Sequence, residues 1–130
     1  MRRLLYLFAL PLLLFAACSP SKDEGAKAAE AAQEYYQKLF EGDYRSFVEA
    51  HHNHRFMPEA YRKQMVDNAK MFVFKMRSEK EGIDSVLVTK GIFHDTDSTA
   101  EAFLILKFGN REREQIVVPM IFADHKWLLR

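Results

Sequence analysis

The chain has 130 residues, 48% hydrophobic and 28% charged, which is enough for one domain and too little for two. With 5 glycines and 4 prolines it is neither low-complexity nor collagen-like. Its 19 basic and 18 acidic groups leave a formal net charge of +1, so no charge excess points to nucleic acid as a partner.

Met1-Arg2-Arg3 precedes an apolar run over 4–17 that contains Pro11. The run is shorter than the roughly 20 residues a spanning helix needs. Two arginines before a short apolar stretch predict a secretory signal over 1–17, to be left out of fold reasoning. The single cysteine of the chain ends this run, in Phe15-Ala16-Ala17-Cys18. Small residues before such a cysteine resemble the lipobox of bacterial lipoproteins, although leucine is commoner where Phe15 stands. The resemblance implies that Cys18 carries diacylglycerol, becomes the mature N-terminus and anchors the protein in the bacterial outer membrane, on its periplasmic side or at the cell surface. The alternative is a soluble secreted protein with a chance cysteine. If Cys18 is acylated, the mature domain holds no thiol for a disulfide, a nucleophile or a metal.

Residues 18–25 are expected to be the lipidated cysteine and a polar tether. Lys22-Asp23-Glu24 resembles a surface-export signal of some Gram-negative lipoproteins; a solvated linker is the competing reading. A folded domain is expected over 26–130.

Apolar residues Ala29, Ala32, Tyr36, Leu39 and Phe40 recur at helical spacing over 26–41, and Gly42 is placed to stop that helix. Asp43 can cap a short second helix with Tyr44, Phe47, Val48 and His51 on one face. Pro58 suits the first turn of a third helix running to about Lys80 and ended by Gly82. Its stripe is Tyr61, Met65, Ala69, Phe72, Val73 and Met76. The period then shortens to two. Strands are predicted over 85–93, 99–108, 112–122 and 126–130, joined by Asp95-Thr96-Asp97-Ser98, Gly109-Asn110 and Ala123-Asp124-His125. Ala100, Ala102, Leu104, Leu106, Ile116, Val118 and Met120 should face inward, and Pro119 should meet an edge or a bulge. These elements make an α+β fold, three N-terminal helices on one face of a four-stranded antiparallel sheet.

The element order resembles the nuclear-transport-factor-two-like superfamily, called cystatin-like in its bacterial lipoprotein branch. Glu41-Gly42-Asp43-Tyr44 resembles the Gly-Asp-aromatic step between its first helices. Ile116-Val117-Val118-Pro119-Met120, then Asp124-His125-Lys126-Trp127-Leu128, resemble its closing hairpin, with His125 where relatives usually have glycine. The resemblance implies a curved sheet around a long helix, a cone with one open end. The superfamily includes isomerases, dehydratases, ligand binders and scaffold modules, so the fold leaves the function open.

The inward strand positions offer no titratable group, which disfavours acid–base chemistry. In His51-His52-Asn53-His54 the histidines are expected to be ordinary helix-end groups that complement the dipole, and no metal or cofactor is expected. If the cone is open, its pocket should be lined by Tyr36, His51, Tyr61, Phe72 and Trp127; the bland reading makes Tyr36 and Tyr61 core aromatics with wet hydroxyls. Met71-Phe72-Val73-Phe74 cannot all face the core, and Phe103 and Ile105 lie opposite the Leu104 stripe, so either a second layer or a partner surface is expected. The family resemblance, in which dimerisation through the sheet is common, implies a homodimer through the outer sheet face. The reading that follows is a lipid-anchored extracytoplasmic binding or protein-interaction module without catalysis, its partner an unidentified ligand or envelope protein. The alternative is a small-molecule lyase or isomerase, or an apolar-ligand carrier, working in the cone.

Overall fold

The computed structural model describes residues 23–130; the expected signal, Cys18 and most of the expected tether lie outside the described residues. Helix α1 spans Glu24–Glu41, two residues earlier than periodicity predicts. The cause is Asp23, whose carboxylate accepts the amide of Ala26 at 2.7 Å and caps the helix. Asp23, Glu24 and Gly25, expected in the tether, therefore belong to the folded domain. Gly42 ends α1 in the left-handed conformation (φ 99°), and Asp43 caps α2 (Tyr44–Glu49) through the amide of Ser46. A 3₁₀ turn, His54–Phe56, leads to α3 (Glu59–Lys80). Pro58 stands just before the first turn of α3, one position outside the helix. Two residues in succession, Glu81 and Gly82, take positive φ to end it.

The sheet runs β1 (Ile83–His94), β2 (Thr99–Phe108), β3 (Arg113–Ala123) and β4 (Lys126–Leu129), antiparallel and in chain order. Register shifts between Ile83 and Ser85 and between Val88 and Lys90 bend β1. At Pro119 the neighbouring chain has passed the end of β4, so no ladder bond needs the amide that proline lacks. The β2–β3 connection is longer than the two-residue turn predicted. A tight turn closes from the Arg111 amide to the Phe108 carbonyl, and Arg111, not Gly109, holds the left-handed φ of 77°. Gly109 is small for another reason: a Cβ there would lie 2.2 Å from the carbonyl oxygen of Glu81.

Helix α1 lies on β1 and β2 through a stripe of small residues. Ala28, Ala29 and Ala32 are fully buried. Gly25 and Gly91 meet backbone to backbone, where a Cβ on Gly91 would fall 1.8 Å from the Gly25 carbonyl oxygen. Polar side chains fasten the same contact. Gln33 donates to the Val86 carbonyl at 2.8 Å, Tyr35 to the Trp127 carbonyl at 2.7 Å, and the Trp127 indole donates to Glu24 at 3.3 Å. Beneath α1 the predicted inward stripe, Ala100, Ala102, Leu104, Leu106, Val118 and Met120, is buried; Ile116 is half-buried. Each large member contributes about 1.5–3 kcal/mol on leaving water.

Helix α3 is held chiefly at its ends. Arg62 donates to the carbonyls of His54 and Met57 at 2.7 and 3.3 Å. At the other end Asn110 and Gly109 donate to the carbonyls of Lys80 and Gly82, and Lys80 pairs with Glu112 at 2.7 Å. Between these clasps only Val73 and Met76 are buried. Most of the apolar stripe of α3 therefore faces something other than the core.

Candidate functional site

That something is a half-open cavity of about 510 Å³ between α1, α2, the 53–57 segment and α3. Leu39, Val48, Met57, Met65 and Ala69 make its apolar surface. Rings line much of the rest. Tyr36 meets Phe47 edge-on at 5.2 Å, and Phe47 meets His51 edge-on at 5.5 Å. Phe40, standing behind, links Tyr36 to Phe72 at 6.3 and 6.1 Å. Such tilted and edge-on contacts are the favoured arrangements of aromatic pairs.

His51 owes its position to the sheet. The chain leaving α2 pairs with the free edge of β4: Leu129 donates to the Ala50 carbonyl at 2.9 Å and His52 to the Leu129 carbonyl at 2.8 Å. This covers an open edge and fixes the backbone at His51. The imidazole Nδ1 lies 3.2 and 3.1 Å from the carbonyl oxygens of Phe47 and Val48. Both neighbours are acceptors, so Nδ1 carries the proton and Nε2 is left as a bare acceptor. Burial holds the His51 pKa below its usual value, against the opposing pull of the Val48 and Phe47 carbonyls. Burial likewise raises the Tyr36 hydroxyl, which stays neutral.

Of the residues predicted for a pocket, Tyr36, His51, Tyr61 and Phe72 line this one cavity. Trp127 does not. It is buried near the start of α1, edge-on to Phe93 at 5.9 Å and to Phe122 at 5.4 Å, with its N–H spent on Glu24. The lining also includes Asn53, Asn68 and Arg130, which sequence reasoning did not single out. Asn68 had a usable signal, since it falls between Met65 and Phe72 on the same stripe. Arg130 had none, because only the β4 pairing brings it there.

The three nearby histidines diverge. His51 enters the cavity, His52 is exposed, and Nδ1 of His54 turns back to the His51 carbonyl at 3.1 Å. Among the described residues no three His, Cys, Asp or Glu side chains converge as metal ligands. The expectation of solvated helix-end histidines is corrected at His51, which is half-buried beyond the end of α2. The apolar character of the strands was read correctly, but the helical layer brings three titratable groups, Tyr36, His51 and Tyr61, to the cavity.

Three helices over an open four-stranded antiparallel sheet, with a cavity among the helices, place this chain in the nuclear-transport-factor-two-like fold. The crystal structure of a Campylobacter jejuni protein, provisionally named an NTF2-like transpeptidase, superposes with a TM-score of 0.63 at 14% identity, over 77% of this chain and 94% of that one. No protein-family model and no curated protein matches the sequence.

Proposed function

We propose that this chain is a lipid-anchored extracytoplasmic binding module whose cavity takes an apolar ligand. The supporting observation is the cavity itself: about 510 Å³, walled largely by rings and aliphatic side chains, with Tyr36, His51, Asn53, Tyr61, Asn68 and Arg130 as its polar groups. That size and lining suit a small molecule. The neighbour's name includes transpeptidase, but the lining described here contains no serine, threonine or cysteine on which an acyl group could be carried. A largely apolar lining, with His51 and Tyr36 held neutral among its polar groups, favours binding over acyl transfer.

Two methionines make the test direct. In the full chain held in lipid nanodiscs, saturating naphthalene is expected to move the methyl ¹³C signals of Met57 and Met65 and to leave that of the core residue Met120 in place. Three unmoved signals would sink the cavity reading. The anchor is tested apart from it: Cys18→Ala should release the protein from membranes, and unchanged membrane association would overturn the lipid attachment.

The outer sheet face supports a second, compatible role. Leu87 opposes Ile105 and Phe103 opposes Val117, making a contiguous apolar patch on which Leu87 and Val117 stay 39% and 51% exposed. We propose that two copies pair through this face. Sedimentation velocity should show a dimer that Val117→Glu dissociates; a wild-type monomer throughout the micromolar range would refute it.

A further inference from the structure

We propose that the cavity selects an uncharged, planar, hydroxyl-bearing ligand, whose O–H donates to Nε2 of His51. This rests on the cavity reading above and names the chemistry of its ligand. Four features of the site converge on it.

The tautomer is set by the helix. Two carbonyl oxygens share the Nδ1 proton, so the other nitrogen cannot donate without the ring becoming charged. Nε2 has no hydrogen-bond partner among the described residues, and it is not sealed off as a buried orphan. It is an accessible acceptor on a residue that lines the cavity. The Tyr36 hydroxyl is in the same condition, unpartnered among the described residues and unsealed. A neutral phenol can accept as well as donate, so a ligand hydroxyl finds an acceptor at His51 and a flexible partner at Tyr36.

Charge is disfavoured at depth. Burial penalises the imidazolium and the phenolate alike, so both groups hold the neutral form at neutral pH. A carboxylate ligand would bring its charge against a His51 nitrogen that, in the neutral ring, can only accept. The one cationic side chain of the lining, Arg130, is exposed at the rim. Shape follows from the rings: Tyr36, Phe47 and His51, each edge-on to the next, with Phe72 further along, offer faces and edges to a flat molecule.

A matched pair of probes isolates the hydrogen bond. 2-Naphthol and 2-methoxynaphthalene share a planar body and an oxygen, but only the first donates. Titrated against the full chain in nanodiscs and read at the Met57 and Met65 methyls, 2-naphthol is expected to bind about tenfold more tightly, because a buried acceptor is left unpaired by the ether. His51→Phe keeps a flat ring and should reduce the ratio to within about twofold, by weakening naphthol alone. A ratio near one in the wild type overturns the proposal while leaving the cavity reading intact, since both probes still move the methyls. A tenfold ratio that survives His51→Phe overturns it as well. If neither probe moves the methyls, the cavity reading fails and this inference falls with it. The wild type alone gives a second readout that needs no variant to fold: the imidazole ¹⁵N signal of Nε2 should shift on adding naphthol and not on adding the ether, and equal response to the two refutes the contact.

Discussion

Gly91→Ala isolates the contact that sets how deeply α1 lies on the sheet. Its φ is not in the left-handed region, so the substitution carries no conformational penalty; the obstacle is another backbone. A Cβ at Gly91 would stand 1.8 Å from the Gly25 carbonyl oxygen and 2.5 Å from its carbon. Restoring ordinary contact requires the first turn of α1 to retreat by about 1.5 Å. That turn leads into Ala28, Ala29 and Ala32, whose burial depends on the same closeness. Overpacking costs about 1–3 kcal/mol, and two facing backbones put this case in the upper half. Reduced freedom of the unfolded chain returns about 0.4–1 kcal/mol, leaving a net loss of about 2 kcal/mol. At about 4–8 °C per kcal/mol for a domain near this size, Tm should fall by about 10 °C in a thermal melt followed by circular dichroism. Gly42→Ala is the control. There φ is 99° and nothing lies within 4 Å, so only backbone strain is added, at a cost of about 1 kcal/mol. A Gly91→Ala protein that melts within about 2 °C of wild type, or above Gly42→Ala, would refute the close-approach argument.

The remaining expectations concern single side chains. His51 has a lowered folded pKa, so its contribution to stability is complete above the unfolded value of about 6.5 and is lost as pH falls from there through the folded value. The wild type should therefore lose Tm on acidification more steeply than His51→Gln below about pH 6.5, and parallel curves would refute the assignment. Asp124 and His125 both have positive φ (55° and 65°) in the β3–β4 turn, a geometry that suits Asn-Gly or Asp-Gly. His125→Gly should relieve this strain and stabilise by about 0.5 kcal/mol after the glycine's extra unfolded freedom is counted, read as a rise in the urea midpoint at unchanged m-value. Tyr35→Phe removes the 2.7 Å bond from α1 to the Trp127 carbonyl and should cost about 1 kcal/mol in the same urea series.

What could be read from the sequence depended on whether a local pattern had only one tertiary use. Strand β2 was predicted at its observed bounds because it is paired on both sides and buried on one face, which imprints a strict period of two on residues 99–108. Gly42 and Asp43 were equally legible, since a left-handed stop followed by a cap is local chemistry. The stripe of α3 was found and Tyr61 and Phe72 on it were expected at a pocket, but how the rest divides between core and cavity was not legible, because both demand the same residues at the same spacing. Gly91 carried no signal at all; only the crossing of α1 over β1 explains it. Trp127 was expected at the pocket, but the indole turns to Glu24 at the opposite end of α1 from Leu39 and Phe40.

The place of the cavity has one cause, the small residues of α1. Alanines and a glycine let that helix sink onto the sheet until Leu104, Leu106 and Met120 are sealed beneath it, so the sheet floor leaves no room for a ligand. The open volume is displaced outward, between α1, α2 and a third helix clasped at its two ends. A wall held this way is free to vary without loosening the core. Substitutions at Tyr61, Met65 or Phe72 should alter what the cavity accepts far more than they alter Tm, whereas changes of the same size at Leu104 or Met120 should do the reverse. Separating the two effects, with naphthalene titrations and thermal melts on the same variants, tests whether the apolar stripe of α3 is maintained for binding or for folding.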